Sequence, residues 1–242
     1  VTTNQNMHTE HTFESQVLDN TRPVWLHQPA VDGAPTHLAV FLDGDFFIDH
    51  FGAPEAMTTL QRSGTLPPTW SLYVPAGERT RRWPESFCDA DFATFLCDEL
   101  VPWALTHTGA TADPVLVGVS LTGLSAAHAA LSHPGTFSRV LCLSGSFWWD
   151  DAHLADTVSS FPPSPTAFHL TVGDQETATD VDHGHGLIQA RSQIDGVQAM
   201  HRALTTHGTL ATYSEYSGGH DAESWLRELP GDLEAVWRLG EG

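Results

Sequence analysis

Apolar positions in this chain fall into short continuous runs separated by stretches of helical spacing. The run from His37 to Leu42 (His-Leu-Ala-Val-Phe-Leu) is apolar after its first residue, the pattern of a strand covered on both faces. Similar runs predict strands at Trp70 to Val74, Val115 to Val117, Arg139 to Leu143, Thr166 to Val172 and Thr209 to Tyr216. Arg22 to Gln28 alternates well enough for a further strand, stopped by Pro29. Between them, helical patterns cover Glu55 to Gln61, Asp89 to His107, Leu124 to Leu131, Leu187 to His207 and Glu223 to Leu239. In the second of these, Phe92, Phe95, Leu96, Leu100 and Trp103 recur at helical spacing, and Pro102 predicts a kink. Residues 1–20 show no clear period and read as a tail or edge segment; residues 21–242 read as one domain. Strands alternating with helices predict an α/β fold, a mainly parallel central sheet with helices on both faces.

Composition narrows the function. With 242 residues, 40% hydrophobic and 17% charged, the chain can bury a full core. No apolar run is long enough to span a bilayer, so no membrane partner is expected. The polar stretch from Val1 to Glu14 lacks the features of a signal peptide. Three cysteines, Cys88, Cys97 and Cys142, have neither an even count nor metal spacing, which favours a reducing, cytoplasmic setting. A net charge of -20 argues against nucleic acid as a partner. Every basic residue is an arginine, and Arg79, Arg81 and Arg82 cluster, either as a local anion site or as a solvated turn.

Candidate chemistry begins at Ser120, in Gly118-Val119-Ser120-Leu121-Thr122-Gly123, between a predicted strand and a predicted helix. A serine hydroxyl needs a base, and the base needs an orienting group. His220, in Ser217-Gly218-Gly219-His220-Asp221, follows late in the chain, the order of nucleophile and base in α/β-hydrolases. The elbow departs from G-x-S-x-G at Thr122, and Ser120 has the alternative role of a helix N-cap. The acid belongs after the strand ending at Val172, where Asp174, Glu176, Asp180 and Asp182 all qualify. An oxyanion hole requires two N–H groups, assigned to Leu121 and to Asp45, with Gly44 making the turn. Asp180, Asp182, His183 and His185 read as a solvated loop rather than a metal site, and no metal is expected.

These segments resemble the enterochelin (enterobactin) esterase family, esterase D-like α/β-hydrolases. The resemblance rests on Leu42-Asp43-Gly44, on Arg82-Trp83-Pro84-Glu85 with the helix after it, and on Ser120 to Leu124. It also rests on Ser144-Gly145-Ser146-Phe147-Trp148-Trp149, Gly173-Asp174-Gln175-Glu176 and Gly218-Gly219-His220-Asp221 with Trp225. It covers residues 38 to 237 and looks like the short, catalytic-domain-only form. It implies Glu176 as the acid and no cofactor. It also implies hydrolysis of a small-molecule substrate, a trilactone siderophore of dihydroxybenzoyl-serine units, ferric or iron-free. Arg79, Arg81 and Arg82 would meet catecholate oxygens, and Trp148 and Trp149 would stack on rings or pack in the core. A general carboxylesterase on small esters is the alternative. So is a siderophore-binding homologue of weak activity, with Thr122 as its sign.

Overall fold

The structure, a computed structural model, describes residues 8–34, 36–112, 114–184 and 186–240, apart from the side chain of Arg79. Among the described residues, eight strands form one sheet: β1 (His8–Ser15), β2 (Asn20–His27), β3 (His37–Leu42), β4 (Thr69–Val74), β5 (Val115–Val119), β6 (Arg139–Leu143), β7 (Ala167–Gly173) and β10 (Ala211–Tyr216). Their spatial order is β1-β2-β4-β3-β5-β6-β7-β10. The pairs β1–β2 and β2–β4 are antiparallel and the remaining pairs parallel. This is the predicted α/β architecture. The pleat explains the continuous apolar runs: along β3, Leu38, Val40 and Leu42 enter one core, while Ala39 and Phe41 enter the other.

Helices cover both faces. Helix α6 (Leu121–Ser132) and α8 (Gln193–Thr206) pack on one core, and α2 (Ala53–Arg62) and α9 (Ala222–Arg238) on the other. Residues 8–15 form the antiparallel edge strand β1. Among the described residues no helix is long and apolar enough to cross a membrane.

Three local readings change. The predicted helix from Asp89 to His107 is α4 (Ala90–Thr94), a π-helical turn (Phe95–Leu100) and α5 (Val101–Thr108) in continuous succession. The wider turn leads into the first turn of α5, where Pro102 sits and its missing N–H costs little. The helix expected from Leu187 starts only at Gln193. Ser192 caps it by accepting from the N–H of Asp195 (3.0 Å), and Ile188–Gln189 instead forms β9, paired with β8 (Val181–Asp182). The loop at Asp43-Gly44-Asp45 turns at Asp43 (φ 58°) rather than at Gly44 and leads into α1 (Gly44–Asp49). Gly44 is required for a different reason: a Cβ there would lie 2.7 Å from both Tyr73 Cβ and the Val74 nitrogen.

The tightest approach lies at the sheet's carboxyl edge. A Cβ on Gly118 would sit 2.2 Å from the Thr122 carbonyl oxygen, so strand and helix meet there only through glycine. Gly118→Ala should therefore destabilise the fold by about 3 kcal/mol, the upper part of the usual overpacking range. Thermal and urea unfolding check this, and an unchanged midpoint would contradict it.

Candidate active site

Ser120 stands between β5 and α6 at φ 53° and ψ -120°, a conformation that costs a non-glycine residue about 1–3 kcal/mol. Its side chain makes no capping bond, which removes the N-cap alternative. The elbow is fixed from outside: Ser120 N–H donates to Leu143 O (2.9 Å), and Ser146 N–H donates to Ser120 O (2.9 Å). The Ser120 hydroxyl lies 3.0 Å from His220 Nε2 and 3.3 Å from Ser146 Oγ.

Thr122 is absorbed by the elbow. Its hydroxyl accepts from Val119 N–H (3.1 Å). Val119 O (2.9 Å) and Asp43 Oδ2 (3.3 Å) are both in reach of its own proton. The branched side chain that broke the motif thus ties strand, helix and the Asp43 turn together.

His220 Nδ1 lies 2.6 Å from Glu176 Oε2. With Glu176 ionised, Nδ1 carries the proton and Nε2 is left to accept from Ser120. The ring also meets Trp225 edge-on, with centroids 4.8 Å apart. The four acids left open by spacing are now separated. Asp174 is exposed and accepts from Gly218 N–H (3.0 Å), holding the histidine loop rather than the histidine. Asp180 and Asp182 are exposed in the loop and hairpin beyond. Asp221 caps α9 through Ser224 N–H (2.9 Å).

Glu176 is only 5% exposed. Its Oε1 accepts from Ser144 Oγ (2.6 Å), from Gly173 N–H (2.8 Å) and lies 3.1 Å from the Tyr216 hydroxyl. Ser144 is fully buried and receives the Trp225 indole N–H (3.1 Å), with Tyr216 OH 2.9 Å away. Burial alone would raise the Glu176 pKa. The His220 hydrogen bond and charge, with the Ser144 and Gly173 donors, outweigh it and hold the carboxyl below 4.5. Sequence reasoning gave no role to Ser144, Ser146 or Tyr216, although the Ser-Gly-Ser run was visible.

The relay opens into a cavity of about 340 Å³ lined by Trp83, Ser120, Leu121, Ser146, Trp148, Glu176, Ala178, Val181, His183, Leu187, Gln189, Gln193 and His220. Trp148 is buried, stacks on His183 (5.0 Å, 8°), and donates its indole N–H to Gln193 Oε1 (2.6 Å). Trp149 is not in this lining; it stacks on Phe87 (5.3 Å, 7°). Nor, among the described side chains, do Arg81 and Arg82 line it. Arg82 makes a two-pronged pair with buried Asp43, Nε to Oδ1 at 2.9 Å and Nη2 to Oδ2 at 2.5 Å. Arg81 is exposed beside a separate groove shared with Glu78 and Glu85. Arg79 opens helix α3 (Arg79–Ser86), with its side chain outside the described residues. The backbone N–H groups of Leu121 and Asp45 lie in the first turns of α6 and α1, where they have no acceptor inside their helices. Among the described residues no three His, Cys, Asp or Glu side chains group to hold a metal; His185 lies outside them.

Comparison with known proteins now has a geometry to attach to. A family model described as "Putative esterase" matches residues 15–236. The chain belongs to this esterase family. It is 33% identical to the iron(III) enterobactin esterase of Dickeya dadantii, over 88% of this chain and 51% of that protein. It is 35% identical to the iron(III) enterobactin esterase of Escherichia coli K12, over 93% and 56%. The chain thus spans about half the length of the curated relatives it matches. The crystal structure of the Shigella flexneri enterobactin esterase, obtained in the presence of enterobactin, superposes with a TM-score of 0.82 at 26% identity. That match covers 97% of this chain and 59% of the other.

Two outcomes follow from the buried carboxylate. Because its pKa is lower folded than unfolded, ionised Glu176 contributes stability that is present above about pH 4.5 and lost as pH falls through the folded value. Melting curves of wild type should therefore drop more steeply below pH 4.5 than those of Glu176→Gln, and parallel curves would contradict the linkage. Ser144→Ala strips a donor from Glu176 and an acceptor from Trp225. It should cost about 1–3 kcal/mol in urea unfolding.

Proposed function

We propose that the chain is a serine esterase that hydrolyses the ester bonds of a catecholate trilactone siderophore. The observation that carries this reading is the Ser120–His220–Glu176 chain of hydrogen bonds, 3.0 and 2.6 Å long, opening on an aromatic-lined cavity. In the proposed reaction, Ser120 Oγ attacks the ester carbonyl while His220 Nε2 takes its proton. Glu176 holds the imidazole tautomer and stabilises the imidazolium. The N–H groups of Leu121 and Asp45 bind the oxyanion, aided by the positive end of α6. His220 returns the proton to the departing alkoxide, and water, activated by the same imidazole, releases the acyl group from Ser120. The hydroxyl of Thr122 is fully engaged within the elbow, which supports an active enzyme over a binding protein of weak activity. The substrate class is carried over from the names of the relatives, and the aromatic lining agrees with it. Trp148 is the ring we assign to substrate, in place of Trp149. A cytoplasmic reaction is supported by the three cysteines, all free.

A fluorophosphonate probe should label wild type, and Ser120→Ala should abolish labelling. An unlabelled wild type would sink the esterase reading. Chromatography should show linear and monomeric dihydroxybenzoyl-serine products from an enterobactin substrate. Turnover of p-nitrophenyl butyrate alone would instead favour a general carboxylesterase. Glu176→Gln should lower kcat by on the order of 10²-fold or more. If Asp174→Asn does so instead, the acid is misassigned.

A further inference from the structure

The cavity beside Ser120 is small and walled by aromatic and aliphatic side chains. Its walls are the indoles of Trp83 and Trp148, the His183 ring stacked on Trp148, and the aliphatic side chains of Val181 and Leu187. Among its described lining residues there is no arginine. Of the described arginines nearby, Arg82 is bound to Asp43, Arg191 is paired with Asp151 at 2.5 Å, and Arg81 lines a separate groove. The segment that forms the outer wall carries the opposite sign, with Asp174 and Asp180 exposed between β7 and the β8–β9 hairpin and Asp182 exposed within β8. That segment is itself held in place: His183 Nε2 lies 3.0 Å from Gln189 Oε1, and His183 N–H donates to Leu187 O (3.0 Å).

A volume of about 340 Å³ lies at the small end of the roughly 300–1,000 Å³ range of ligand pockets. It accommodates one dihydroxybenzoyl arm rather than three. In a ferric tris-catecholate the three rings are drawn onto one metal, so no ring can enter a pocket alone, and the head carries three negative charges. In the iron-free compound each catechol keeps its protons near neutral pH, is uncharged, and swings independently. An uncharged planar ring against an indole gains stacking and apolar burial, whereas a trianion at an acidic rim meets repulsion that salt only partly screens.

We infer that this site takes the iron-free trilactone, or its linear fragments, in preference to the ferric complex. One uncharged dihydroxybenzoyl arm occupies the Trp83–Trp148 cavity while the adjoining serine ester lies at Ser120. The inference rests on the siderophore-esterase reading and narrows it to one form of the substrate.

The test compares kcat/KM for iron-free and ferric enterobactin at low and at physiological salt, with p-nitrophenyl butyrate as a third substrate. Iron-free substrate should be favoured by about tenfold or more at low salt, and the ratio should shrink as salt rises. The double variant Asp180→Asn with Asp182→Asn keeps the loop's hydrogen-bond acceptors and removes two charges. It should raise the ferric rate relative to the iron-free rate at low salt. Equal rates, or faster turnover of the ferric complex, overturn the inference and leave the siderophore reading standing. Turnover of the small ester with neither trilactone cleaved overturns both.

Discussion

A carboxylate buried at the end of three strands sets the terms for this structure. An ionised Glu176 at 5% exposure would cost several kcal/mol without partners, and it has four. Each partner comes from a different place: Gly173 from the end of β7, Ser144 from the turn after β6, Tyr216 from the end of β10, and His220 from the loop before α9. The order β6-β7-β10, all parallel, brings those three carboxyl ends side by side. An antiparallel neighbour would have sent one end to the opposite edge. The topology therefore does more than bury a core; it gathers the donors that keep Glu176 charged, and a charged Glu176 fixes which nitrogen of His220 faces Ser120.

Ser120, the proposed nucleophile, is held by backbone hydrogen bonds rather than by charge. Its left-handed backbone persists because hydrogen bonds from Ser146 and to Leu143 over-determine it. One short run, Ser144-Gly145-Ser146, serves both ends of the hydrogen-bond chain, with the Ser144 hydroxyl on Glu176 and the Ser146 hydroxyl facing Ser120. Glycine at 145 is compatible with this closeness, since a Cβ on Gly123 would already lie 3.0 Å from its Cα. Movement in that run would disturb acid and nucleophile together.

Much of this was legible in the residues, and the failures have physical causes. Strands buried on both faces announce themselves by unbroken apolar runs, and β3 to β7 were found within two residues at each end. Ser120 and His220 were legible from chain order. The partner of His220 was not, because Asp174, Glu176, Asp180 and Asp182 share one loop region and only the fold decides which faces inward. Ser144 and Tyr216 were missed because a buried hydroxyl has neither charge nor periodicity to mark it. Arg82 was read as a free cation because its partner, Asp43, is distant in sequence and adjacent only once β3 and α3 are packed. The misplaced start of α8 had a signal in plain view: Ser192 with Asp195 is a capping pair, but the apolar Leu187 and Ile188 upstream imitated another turn of helix.

The use of arginine bears on how such an acidic chain would stabilise the proposed oxyanion. With ten arginines against thirty acidic residues, positive charge is scarce, and among the described side chains six arginines are in ion pairs with carboxylates or donate to the chain itself. Arg22 joins β2 to α3 through Glu85, and Arg82 neutralises the buried Asp43 beneath the elbow. Spending a guanidinium at Ser120 would also favour anionic ligands in the resting cavity, which the aromatic walls do not need. Helix N-termini avoid that cost. The first-turn N–H groups of α6 and α1 present positive dipole ends without adding net charge, so in the proposed reaction they would act on a negative oxygen at short range and attract distant anions little. In the proposed reaction, a cavity free of described arginines and a dipolar oxyanion site would separate binding, done by aromatic surface, from catalysis, done by oriented N–H groups and one buried carboxylate.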